Sequence, residues 1–387
     1  MVASIPYEVF SEIVEKLERQ GKEIENVQEA ENVQSVWVTG GALSLTCKAW
    51  SQLGQKLYWR NRVGGYDPIR FLNHFELYPH LAQLARSSSF DLPPDQHGLP
   101  APEYDWLSLA HLPVLVTKLT NLESLKINTH GGDVSRLARA ASSLKKLTSL
   151  EINIKDNIKW RTETASNFQQ GFSSLKHLSI SARLVELDNP QFDIPRRKGK
   201  LLSLTSIEIG LEVELGPNGH QAAQSILSLI DPTTLTQITL LHCAASLDNL
   251  RWISVTFTNL HFFKLKVDQN QYSIVIETLL ELLPSLPSLL AFSLHLFGPN
   301  PVNTYEPGIS LTSVLRSFSP TLKFFVAHQL CFAEDEVKSI PFRPMGSLGS
   351  MLVTNALTQG ADGPFVEQVT IWRENSEPSA QWYRCQT

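Results

Sequence analysis

Four cysteines and eleven histidines are the residues of this 387-residue chain with the widest chemistry. Cys47, Cys243, Cys331 and Cys385 match no zinc pattern and no compact disulfide framework. They read as reduced thiols. The histidines are scattered without i, i+4 pairing, and His242 beside Cys243 reads as a turn residue rather than a nucleophile–base pair. There is no Gly-rich phosphate loop, no G-x-S-x-G and no H-E-x-x-H. The run Met345-Gly346-Ser347-Leu348-Gly349-Ser350 is only a loop of small residues. Residues 195–200 (P-R-R-K-G-K) have the charge for a phosphate contact or a nuclear-import signal, and read first as a solvated loop. These types and spacings build no catalytic centre. The expectation is a non-catalytic protein with no metal and no cofactor, acting through its surface.

The balance of charge narrows the partners. With a net charge of −5 and Lys+Arg 33 against Asp+Glu 38, the chain lacks the basic surplus of a general nucleic-acid binder. The longest uncharged run, Leu282 to Tyr305, contains Pro284, Pro287, Pro299 and Pro301, so no membrane span is expected. Glu8, Glu12, Glu15 and Lys16 break any signal-peptide core. A cytoplasmic or nuclear protein is therefore expected.

An apolar pattern, L-x-x-Φ-x-Φ with Φ apolar, supplies the elements. It occurs at Leu122-Leu125-Ile127, Leu147-Leu150-Ile152, Leu175-Leu178-Ile180, Leu204-Ile207-Ile209 and Leu235-Ile238-Leu240. It returns at Leu260-Phe263-Leu265, Leu289-Phe292-Leu294 and Leu322-Phe325-Ala327, with a weaker ninth copy at Val366-Val369-Ile371. The steps between copies run from 25 to 33 residues and then 44 to the last. Two apolar residues separated by one make a strand with a single buried face. Between the strands, Val134, Leu137, Ala138, Ala141 and Leu144 follow helical steps. So do Ala223, Ile226, Leu227 and Ile230, and Tyr272, Val275, Ile276, Leu279 and Leu283. One strand and one helix cannot bury their faces alone, but stacked copies can.

Residues 121–372 therefore resemble the leucine-rich-repeat family. The resemblance implies an α/β solenoid, a parallel β-ladder with helices outside it. The family places Asn or Cys eight residues after the first Leu; only Cys243 fits, and His130, Lys155, Arg183 and Asp268 stand elsewhere. An irregular solenoid without most of that side-chain ladder follows. An ordinary α/β sheet is the alternative.

At the N-terminus, Ser4, Ile5, Pro6 and Glu8 open a helix, with Pro tolerated in its first turn. Val9, Phe10, Ile13, Val14 and Leu17 form its apolar stripe. An acidic stretch at residues 18–36 follows. Then come Cys47-Lys48-Ala49-Trp50, Leu53, Leu57 and Trp59. An apolar residue and Pro before a helix, a Cys-basic-x-Trp element and a closing Leu and Trp resemble the F-box, here residues 1–62 with the acidic stretch inserted. Residues 63–120 then read as a helical and loop connector and N-terminal cap, with a helix over residues 66–86 and an opening strand over 86–92. A loop follows at Pro93, Pro94, Gly98, Pro100 and Pro102. The tail, residues 373–387, is polar, with Trp382 and Tyr383 as its anchors.

An F-box followed by leucine-rich repeats is the layout of a substrate receptor in SCF-type ubiquitin ligases. The resemblance implies docking onto a Skp-type adaptor, and through it a cullin, by Ile5, Pro6, Val9, Phe10, Ile13, Cys47, Trp50, Leu53, Leu57 and Trp59. It implies that the repeats hold a target protein for a separate enzyme, so the chain acts by proximity. Residues alternating with the buried pair face the ladder's open side. The aromatic and charged ones towards its C-terminal half, Phe262, Lys264, Phe324 and His328, are the candidate target-binding residues. A repeat scaffold whose N-terminus is only a cap, and an F-box protein acting outside ubiquitination, remain as alternatives.

Overall fold

A computed structural model describes residues 55, 58–60, 63–65, 68–91, 105–129, 139–160, 172–187, 201–211, 218–241, 247–268, 278, 282–297, 324–333, 365–374 and 377–383. The chain divides into two compact units, Met1–His130 with Arg136–Glu151, and Gly131–Ser135 with Ile152–Thr387.

The first unit contains strands β1 (Val63–Gly65), β2 (Ser87–Asp91) and β3 (Ser124–Thr129), paired in that order and all parallel. The helices between them are α1 (Pro68–Leu77), α2 (Pro79–Ala82) and α3 (Asp105–Lys118). Leu72 and Phe75 of α1 and Leu112, Leu115 and Val116 of α3 are buried, as are Val63, Phe90, Leu125 and Ile127 of the strands. The parallel ladder thus begins at Val63, inside the segment that the sequence assigned to connector and cap. Val-Gly-Gly carries no alternation that marks it as a strand; pairing with Ser88 to Phe90 supplies what its own residues lack. The expected opening strand is β2, and the expected helix is α1 with α2.

Arg86 ties this unit together. Its guanidinium donates to the Asn121 carbonyl at 3.1 Å, and its Nε lies 3.4 Å from Glu123 Oε1. Asn121 in turn donates to the Gln83 carbonyl at 2.9 Å and accepts from Lys146 Nζ at 2.8 Å.

A long strand, β4 (Ser149–Trp160), carries the chain from the first unit into the second. There β5 (His177–Leu187), β6 (Ser206–Leu211), β7 (Gln237–Leu241), β8 (Phe262–Asp268), β9 (Ala291–Phe297) and β10 (Phe324–Ala333) pair in chain order, every pair parallel. Helix α4 (Asn218–Leu227) lies between β6 and β7, and α5 (Leu247–Thr256) between β7 and β8. A single 3₁₀ turn, Leu283–Ser285, precedes β9. This is an α/β, solenoid-like arrangement of one strand per repeat.

The register keeps equivalent repeat positions side by side. Ile207, Ile238, Phe263 and Phe292 make one buried row, and Ile209, Leu240, Leu265 and Leu294 the next. Removing such side chains from water contributes about 1.5–3 kcal/mol each. Phe263 and Phe292 add a ring contact, with centroids 5.7 Å apart. Ala223, Ile226 and Leu227 of α4 are buried, as the helical spacing predicts. The core reaches one position further than the motif: Leu119, Leu144, Phe172, Phe257 and Leu286, each three residues before a motif leucine, are all buried. Four of them accept the N–H of that leucine, as in Leu260 to Phe257 at 3.2 Å and Leu289 to Leu286 at 3.2 Å.

A backbone device repeats at the strand entrances. The carbonyl of Thr205 accepts the N–H groups of Thr236 and Gln237 at 3.0 and 3.1 Å. The carbonyl of Thr236 does the same for His261 and Phe262, and that of His261 for Leu290 and Ala291. Threonine hydroxyls join in: Thr236 Oγ1 donates to Thr205, Thr205 Oγ1 to Lys176 and, in the first unit, Thr148 Oγ1 to Glu123, at 3.0–3.1 Å. These hydroxyls tie neighbouring repeats where the sequence has no asparagine ladder.

Two expectations at the C-terminus are corrected. The weaker ninth copy lies in β11 (Phe365–Glu374), which runs antiparallel to β10, so it is not another parallel repeat. The segment read as a polar tail anchored by Trp382 and Tyr383 instead forms a strand over part of its length, β12 (Glu377–Tyr383), antiparallel to β11, with Trp382 opposite Val369 and Tyr383 opposite Gln368.

Candidate partner-binding face

Side chains that alternate with the buried rows stand on the other face of the second unit's strands. Phe262 and Lys264 of β8 are both half-buried there. Phe324 and His328 of β10 hold register positions two strands away, with β9 between them. Phe262 pairs with Ala291, which pairs with Phe324 and on to Trp372, so the two phenylalanines flank a small residue roughly 10 Å apart across the ladder. Lys264 pairs with Ser293, and Ser293 with Val326. One step further, Lys266 pairs with His295, and His295 with His328. The four residues singled out from the sequence thus lie on two strands, β8 and β10, with β9 between them. Along β10, Phe324 and His328 are four residues apart, roughly 13 Å.

Polar contacts shape this face. Ser293 is buried, and its Oγ lies 2.9 Å from His295 Nε2. Towards the N-terminal side of the unit, Ser179 Oγ donates to Glu208 Oε1 at 3.4 Å. Glu208 and Lys264 occupy the same register row, separated by Thr239. That places them about 10 Å apart, near one screening length, too far for an ion pair. In the first unit, Lys126 and Glu151 do pair, at 2.7 Å, with both side chains well solvated. Such a pair contributes at most about 1 kcal/mol.

Lys266 and His295 stand beside the chosen residues, and the sequence carried the signal for them. Lys266, His295 and His328 each fall six residues after the first Leu of their copies, at 260, 289 and 322.

Of the ten residues assigned to adaptor docking, Ile5, Pro6, Val9, Phe10, Ile13, Cys47, Trp50, Leu53 and Leu57 lie outside the described residues. Trp59 is described and half-buried. Its ring stacks on His74 of α1, with centroids 4.9 Å apart and planes 23° apart, and meets Phe75 edge-on at 5.7 Å. Trp59 therefore makes aromatic contacts within its own chain, onto the first helix after β1. His74 Nε2 is buried there and has no hydrogen-bond partner among the described residues.

Among the described residues no group of three His, Cys, Asp or Glu side chains is placed to hold a metal ion. No helix among them is long and apolar enough to cross a membrane. Among the described side chains, the open face carries half-buried Phe262, Lys264, Lys266 and His295 and buried Ser293. Compared with known proteins, the sequence matches no family model and no curated relative.

Proposed function

We propose that the chain is the substrate-recognition subunit of an SCF-type ubiquitin ligase. The N-terminal F-box-like module docks a Skp-type adaptor and, through it, a cullin. The repeats hold a target protein on the face that carries Phe262, Lys264, Phe324 and His328. The observation that supports this reading is the register. Parallel strands, one per repeat, bring side chains distant in sequence into rows wide enough for a protein-sized contact, roughly 5 Å per strand. Aromatic groups set among polar ones are the usual anchors of such contacts. The chain itself performs no chemistry in this reading. It raises the local concentration of a target lysine near a charged conjugating enzyme.

One observation favours a second reading, a repeat scaffold without a ligase role. Trp59 packs on His74 and Phe75, as the residue of a terminal cap would. Affinity purification of the full chain from its native source separates the two. The receptor reading expects the adaptor and a cullin to co-purify, with at least one further protein whose half-life lengthens when the chain is depleted. Recovery of partners without adaptor or cullin selects the scaffold.

A further inference from the structure

We draw no further inference here: the strongest candidate, the surface patch where α1 gives way to α2, with Leu77 74% and Tyr78 48% exposed, carries nothing, because nothing in the structure shows what covers it.

Discussion

Threonine hydroxyls at the strand entrances link each repeat to the one before it. Thr205 and Thr236 each donate to the carbonyl of the preceding repeat at 3.1 Å. Thr236→Val keeps the side chain's shape and removes the donor, leaving that carbonyl with its two backbone N–H partners. The expected loss is about 0.5–1.5 kcal/mol, read as a lower urea midpoint with an unchanged slope. Asp231, in the loop between α4 and β7, accepts the Thr233 N–H at 2.9 Å and the Thr233 hydroxyl at 2.7 Å. Those two hydrogen bonds favour its ionised form and hold its carboxyl below the ordinary carboxylate range. A depressed folded value means stability that is present above the unfolded pKa of about 3.9 and is lost as pH falls through the folded one. The site is solvated, so the effect is small. Asp231→Ala is expected to cost several tenths of a kcal/mol at neutral pH, from the lost hydrogen bonds, with the gap to wild type closing below about pH 4. Urea unfolding at both pH values reads it.

At the scale of elements, β3 of the first unit and the parallel strands β5 to β10 of the second were legible because L-x-x-Φ-x-Φ fixes which face is buried. Leu125 and Ile127, Leu178 and Ile180, and Ile238 and Leu240 are all buried where the pattern puts them. The pattern says nothing about strand direction. Val369 and Ile371 alternate as the earlier copies do, yet β11 runs antiparallel and pairs Phe325 with Ile371. The eye reads a repeat where the chain has turned back. Strand β1 was not legible because Val63-Gly64-Gly65 has one apolar side chain and takes its strand form from its neighbour. The candidate face was legible in its members and not in its grouping, since register across β8, β9 and β10 is a property of pairing, not of any one segment. The hairpin of β11 and β12 follows the last parallel strand. Ending the chain after Glu374 removes β12 and leaves the N–H and C=O groups of β11 on that side unpaired. The shortened chain is expected to aggregate on concentration, seen by light scattering, while the full chain does not.

At the scale of the whole molecule, a ladder of repeats is stabilised by nearest-neighbour contacts, so damage stays local. Leu240 is buried in β7 between Ile209 and Leu265. Leu240→Ala is expected to cost about 2–5 kcal/mol and to lower hydrogen-exchange protection in β6, β7 and β8, leaving β1 to β3 close to wild type. Uniform loss across all of them would mean a single cooperative fold. The proposed function asks something different of each end of the chain: residues near the N-terminus must offer apolar and tryptophan side chains to an adaptor, while the open strand face takes a target. The decisive measurement is pull-down of a purified Skp-type adaptor by the full chain, compared with a folded Pro6→Ala, Trp50→Ala double variant. The receptor reading predicts capture by the wild type and capture weakened at least tenfold in the variant, about 1.4 kcal/mol or more, the size expected when central interface anchors are lost. No capture by the wild type, or equal capture by both, would contradict it.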